Sequence, residues 1–247
     1  MENITDYNIL SLFPEWYEVF FLHAHPDDET FLNLGLIDQL NKLWRKCWII
    51  YCSAWLVENN EETKIRQQEI KGVIKKYLSG VNIIFLPYSD CSLWNPLQNH
   101  SIQDVVNSVL INISCIKQCI FVWYDYRWGY GHKDHKTVHT IWKYLAWIKN
   151  NSPYYESTIN ETIMNSWIKL NETKLSNNEL PKTQYRSSRF WTPTSKIGYV
   201  YTLTDDQILK KRNAFCEYKS QINPNEFPLS LDTINFSFLF WQEYLNV

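Results

Sequence analysis

An α/β fold, with a Rossmann-like and mostly parallel sheet carrying helices on both faces, is predicted by three observations. Short apolar runs alternate with longer segments of helical period four times in succession. The runs are continuously apolar rather than alternating, as in strands covered on both faces. Their order, strand then helix, is the order of right-handed crossover units.

The elements follow in order. Residues 17–24 (YEVFFLHA) form an apolar run that ends at a His-Pro step and read as a buried strand. Phe31, Leu34, Ile37, Leu40 and Leu43 then fall at helical spacing and predict a helix over 28–43. Residues 47–57, rich in Trp, Ile, Tyr and Val, predict a second strand. Helix 62–79 places Ile70, Val73, Ile74, Tyr77 and Leu78 on one face, with Gly80 as its stop. Strand 81–86 (VNIIFL) closes at Pro87, helix 102–116 carries Ile102, Val105, Val106, Val109, Leu110 and Ile113, and strand 119–124 is CIFVWY. A loop with Gly129 and Gly131 leads into helix 134–149. Residues 150–195 are polar and Asn-rich, broken by Pro153, Pro181 and Pro193, and read as an insertion or lid within one domain spanning 1–247. A strand at 197–203 and a helix at 205–220 resume the pattern, and the apolar stretch Ile234–Trp241 is expected to dock as a final helix.

Composition narrows the partners. With 24 Lys plus Arg against 26 Asp plus Glu, the net charge of −2 lacks the basic excess of a nucleic-acid binder. At 247 residues and 45% hydrophobic, the chain can bury a core without disulfides. Aromatic residues reach 16%, enough to fill a bulky core and to line a pocket besides. The first basic residue is Lys42, preceded by eight acids, so the basic start of a secretory signal is missing. The longest apolar stretch, Cys47–Val57, is far short of the ~20 residues of a membrane helix. The six cysteines show no CxxC and read as reduced thiols. A cytoplasmic protein acting on a small molecule is expected.

The chemistry concentrates in two loops. His25-Pro26-Asp27-Asp28-Glu29 follows the first strand, and Tyr130-Gly131-His132-Lys133-Asp134-His135 follows the fourth. Ligands of open α/β sheets bind at strand carboxyl ends where the strand order reverses. An order 3-2-1-4 would make these loops neighbours. Imidazoles and a carboxylate from facing loops are the donor set of a catalytic divalent ion. Of two adjacent aspartates, one can bind the ion while the other takes a proton from water.

At these residues the chain resembles the PIG-L/LmbE-like zinc-dependent de-N-acetylases, marked by an A-H-P-D-D-E loop and a later H-P-D-H or H-x-D-H loop. Ala24 to Glu29 and His132 to His135 carry the resemblance, with Lys133 in place of the usual proline. Arg66-Gln67-Gln68-Glu69-Ile70, Phe85 to Asp90, and Lys219-Ser220-Gln221 extend it. It implies that His25, Asp28 and His135 ligate Zn2+, with Fe2+ or another divalent ion as alternatives. It makes Asp27 the general base and His132 a second acid/base or oxyanion-stabilising group. Tyr130 would polarise the acyl oxygen, Asp134 would orient a ligating histidine, and Arg66 and Asp90 would hold sugar hydroxyls. The implied reaction is removal of an N-acetyl group from an N-acetylglucosamine-type amino sugar. Alternatives are an amidase acting on another acylated glycoside and a sugar-binding relative without catalysis. Two His and one carboxylate also describe Fe(II) oxygenases, against which the paired Asp and the absent jelly-roll pattern argue. His23 is expected to pack in the core and His139 to lie off the metal site. Trp94, Trp128 and Trp191 suit stacking on a sugar and packing equally.

Overall fold

The computed structural model describes residues 9–53, 61–89, 97–125, 127, 133–170, 191–220 and 242–246. Seven strands form one sheet in the order β3-β2-β1-β4-β5-β7-β6. The first four are β1 (Glu18–His23), β2 (Cys47–Tyr51), β3 (Asn82–Phe85) and β4 (Cys119–Tyr124), all parallel to their neighbours. The chain steps outward from β1 to β3 and then returns to the other side of β1. The strand order therefore reverses between β1 and β4, and this is the order that makes the two loops neighbours.

Every residue of β4 is buried, as are five of the six in β1, because helices cover both faces. On one face Val19, Phe21, Ile49 and Val122 meet α2 (Leu34–Lys42), α3 (Glu61–Tyr77) and α7 (Asp205–Phe215). On the other, Phe20, Leu22, Phe121 and Trp123 meet α4 (Ile102–Ile113) and α5 (Lys133–Ile148). Each such side chain, fully buried, contributes roughly 1.5–3 kcal/mol.

The structure departs from the sequence reading at several elements. The helix expected over 28–43 is two helices, α1 (Asp28–Leu32) and α2, interrupted at Asn33. Asn33 donates to Ser157 Oγ (2.6 Å), and the new N-terminus is met by Glu243, which accepts from Gly35 N–H (2.9 Å) and Leu36 N–H (2.8 Å). That cap arrives from across the molecule, so no local signal announces it. The second strand ends at Tyr51 rather than 57, and residues 54–60 lie outside the described ones. Residues 154–158, inside the stretch read as an insertion, form β5 (Tyr154–Thr158), paired in parallel with β4 and followed by α6 (Glu161–Leu170). Its polar residues belong in the sheet because Ser157 and Thr158 find partners in Asn33 and Asp125. The rest of that stretch, 171–190, is outside the described residues, as is the helix expected at 234–241. Beyond that stretch Gln242–Asn246 form a strand, β7, antiparallel to both β5 and β6 (Tyr199–Thr202). Among the described residues, no helix is long and apolar enough to cross a membrane.

Candidate metal centre

β1 ends at His23, and the chain turns sharply so that His25, Asp27 and Asp28 stand over the crevice between β1 and β4. The turn is made at Asp27, whose φ of 111° is left-handed and strained for a residue with a Cβ. Asp28 then opens α1, and its Oδ2 accepts the His25 N–H at 2.9 Å. His135 comes from the first turn of α5, on the far side of the crevice.

Three donor groups converge. His25 Nδ1 lies 3.1 Å from His135 Nε2, His135 Nε2 lies 3.5 Å from Asp28 Oδ1, and His25 Nδ1 lies 3.8 Å from Asp28 Oδ2. Two ligands about 2.1 Å from a tetrahedral ion are about 3.4 Å apart. The triangle therefore fits a divalent ion, and it is the one such group among the described residues. Asp134, fully buried, places Oδ2 3.2 Å from His25 Nε2 and so holds the ring with Nδ1 inward. The orienting carboxylate thus acts on the histidine of the other loop.

Burial raises the Asp28 carboxyl to about 6, against the opposing pull of His25. Burial, and then the Asp28 charge, push Asp27 well above the usual carboxylate range. Arg66, half-buried on α3, brings positive charge that opposes this rise. A buried, acid-rich pocket of this kind is neutralised either by protons or by a cation.

Glu29 is the anchor of the loop. Its Oε1 accepts from Tyr218 Oη and Thr30 Oγ1, both at 2.6 Å, and its Oε2 accepts the Asp27 N–H at 3.1 Å. The other stretches of resemblance also meet: Glu69 of α3 accepts from Ser220 N–H (2.8 Å) and Ser220 Oγ (2.6 Å). That contact ties the end of α7's segment to the helix that carries Arg66.

Of the residues singled out by sequence, His25, Asp27, Asp28, Asp134 and His135 are brought together, with Arg66 near Asp27. Tyr130, His132 and Asp90 lie outside the described residues, as do Trp94 and Trp128. Trp191 is buried, with its carbonyl taken by Arg127 Nη1 at 3.3 Å. His23 is wholly buried, and burial lowers its pKa to about 3, so it packs as a neutral core residue. His139 faces the Tyr124 carbonyl (3.5 Å) and Glu156 (3.8 Å) rather than the donor triangle. Sequence reading passed over two neighbours of the site. Tyr124 stacks on His135 (4.5 Å, 21°) and its hydroxyl accepts the Ala24 N–H at 2.8 Å. Asp125, next along, accepts from Thr158 Oγ1 and Thr192 Oγ1 at 2.8 Å and from Arg127 N–H at 2.9 Å. Asp125, an acid closing an apolar strand, carried a signal in the sequence, whereas Tyr124 before it reads as core.

Comparison with known proteins bears on the fold and the family. No curated protein sequence matches the chain. Among solved structures, the zinc-inhibited form of teicoplanin deacetylase superposes with a TM-score of 0.59 at 13% identity, over 83% of this chain and 84% of that one. N,N'-diacetylchitobiose deacetylase from Pyrococcus horikoshii gives 0.55 at 18% identity, over 93% and 82%. The 4-carboxy-2-hydroxymuconate hydratase of Pseudomonas putida gives 0.58 at 11% identity, over 93% and 95%. At such identities the likeness is one of fold, and that fold hosts more than one reaction. The sequence model of PIG-L, GlcNAc-PI de-N-acetylase, matches residues 20–145, just over half of the chain and the span that holds both loops. The chain belongs to the PIG-L family.

Proposed function

We propose that the protein is a zinc-dependent hydrolase that removes the N-acetyl group from an amino sugar of the N-acetylglucosamine type. The observation that carries this reading is the triangle of His25, Asp28 and His135, with Asp27 beside it on the same turn. A zinc ion in that triangle would supply Lewis acidity toward an acyl oxygen and toward water.

The chain's own residues do the rest. Asp134 fixes the His25 ring. Asp27, adjacent to the ligands but projected differently by its backbone, takes a proton from the attacking water. Water oxygen bonds to the acetyl carbon, and the developing oxyanion is met by Tyr130 and His132. Protonated His132 or Asp27 then gives a proton to the sugar nitrogen as its bond to the acyl carbon breaks. Acetate and a free amine leave. Arg66 and Asp90 hold sugar hydroxyls. The free thiols, with Cys47, Cys52 and Cys119 buried, accord with a reducing, cytoplasmic setting.

The test is acetate release from zinc-loaded protein across a free N-acetylated sugar, a nucleotide sugar, a lipid-linked sugar and an acylated glycoside. Release from at least one, lost in His135→Ala, is expected. Metal bound stoichiometrically with no acetate released from any would leave the sugar-binding alternative. Elemental analysis should give about one zinc per chain. Undiminished metal in a His25→Ala, His135→Ala double variant would remove the ligand assignment.

A further inference from the structure

We propose that Tyr124 is a positioning residue of the metal centre: its ring lies flat on the His135 imidazole, 4.5 Å between centroids and 21° between planes, while its hydroxyl accepts the Ala24 N–H at 2.8 Å. The inference rests on the reading of His25, Asp28 and His135 as ligands.

The ligands come from two loops that are 110 residues apart in sequence. Their donor atoms have to meet within a few tenths of an ångström, and the terminal torsion of a histidine is broad and roughly two-fold. Each ring therefore needs a restraint of its own. Asp134 restrains His25 through Nε2. Tyr124 restrains His135 by a different device, since a ring stacked face to face blocks rotation of the imidazole out of its plane. The same side chain reaches across to the other loop. Ala24 immediately precedes His25, whose own N–H is held by Asp28. One residue thus fixes the ring of one ligand and the backbone that launches another.

Tyr124 is itself firmly held. It is the last residue of β4, paired in register with Ser157 of β5, and its side chain is wholly buried. Its carbonyl is met by His139, one helical turn beyond His135 on α5. A mere core filler at this position would need no hydroxyl. A buried tyrosine hydroxyl needs a partner, and this one finds it in the backbone of the ligand loop.

The experiment compares zinc affinity, by competition with a chromophoric chelator, and the visible spectrum of the cobalt(II)-loaded protein. The variants are Tyr124→Phe, Tyr124→Leu and, as a control, Trp123→Phe. Trp123 is the adjacent buried ring on β4, and it stacks on Tyr154 of β5. Tyr124→Phe keeps the stack and loses the hydroxyl, so zinc binding should weaken by about tenfold. Tyr124→Leu loses both and should approach a hundredfold, the range found when outer partners of a metal ligand are removed. Its cobalt spectrum should also change. Trp123→Phe should lower the thermal midpoint while leaving zinc affinity and spectrum as they were. Unchanged affinity and spectrum in Tyr124→Leu overturns the proposal, and so does a loss in Trp123→Phe equal to that in Tyr124→Leu. Should Tyr124→Leu not fold, Tyr124→Phe decides, and affinity within twofold of the unaltered chain overturns it. An unaltered chain that binds no zinc removes the ligand reading itself, whereas a zinc-binding chain with indifferent Tyr124 variants removes only this role.

Discussion

Asp27 pays a conformational cost that its fold does not need. Holding a residue with a Cβ at φ 111° costs roughly 1–2 kcal/mol, which glycine would avoid. Its N–H bond to Glu29 belongs to the backbone and would survive substitution. Asp27→Gly should therefore leave thermal stability unchanged or raise it by about 1 kcal/mol, while abolishing acetate release. A midpoint lowered by several degrees in thermal denaturation would contradict this account. Asp27→Asn, which keeps the shape and removes most of the basicity, should lose about 10²–10⁴-fold in rate with metal content nearly unchanged. Asp28→Asn should instead weaken metal binding, and added zinc should partly restore it. If elemental analysis found metal lost in the first variant and kept in the second, the two roles would be exchanged. The donor triangle was legible at this scale because His25, Asp28 and His135 stand in two compact motifs at strand ends. The strain at Asp27 and the restraint by Tyr124 were not. Backbone angle is not a residue type, and a tyrosine ending an apolar strand is indistinguishable from core until its hydroxyl partner is seen.

Among elements, α2 is the instructive case. Its helical period was plain in Leu34, Ile37 and Leu40, yet its beginning was misplaced. Helix starts are read from local caps, and this one is capped by Glu243 from β7. Glu243 also takes Lys211 Nζ of α7 at 2.8 Å, with both side chains almost fully buried. Removing one member of a buried pair leaves the other charge uncompensated, so Glu243→Ala should cost on the order of 3–5 kcal/mol in denaturant unfolding. A cost below about 1 kcal/mol would mean that water reaches Lys211. Close packing adds to the constraint. A Cβ at Gly35 would come 2.7 Å from Leu203 Cγ, so the helix start has no room for a larger residue. Midway along α2, Asp38 takes Lys210 and Lys42, each at 2.7 Å. Burial alone would raise its carboxyl, but the bonds and charges of Lys210 and Lys42 prevail and hold it below 3.8. A depressed carboxylate contributes fully above its unfolded value of 3.8 and loses that contribution as pH falls through the folded value. Asp38→Asn should therefore lower the thermal midpoint at pH 6, and the difference from the unaltered chain should close as the pH drops below that value. A gap that stayed constant with pH would assign the effect to packing rather than charge.

For the molecule as a whole, the parallel half of the sheet was legible from its apolar runs, and the remainder was not. β5 reads YYEST and β7 reads QEYLN, and their polar Ser157, Thr158 and Glu243 find partners remote in the chain. These two strands nevertheless complete the architecture. β7 lies between β5 and β6, and the described pairing of β6 to the sheet runs through β7 alone. Ending the chain after Trp241 would remove that bridge, take Glu243 from the α2 N-terminus, and leave Lys211 without its carboxylate. α2 continues from α1, which begins at Asp28, so the damage should reach the metal centre as well as the fold. The truncated protein is expected to show a lower thermal midpoint and zinc affinity weaker by about tenfold or more, the scale of losing a ligand's outer support. Glu243→Gln separates the two contributions, because it keeps the strand and a neutral acceptor for one of the Gly35 and Leu36 N–H groups while removing the charge. If its zinc affinity fell as far as that of the truncation, the carboxylate would be the whole link between the C-terminal strand and the site. If it kept its affinity while the truncated chain lost it, the link would be the strand's place in the sheet. A truncated chain with unaltered midpoint and affinity would show that β7 supports neither the fold nor the first loop.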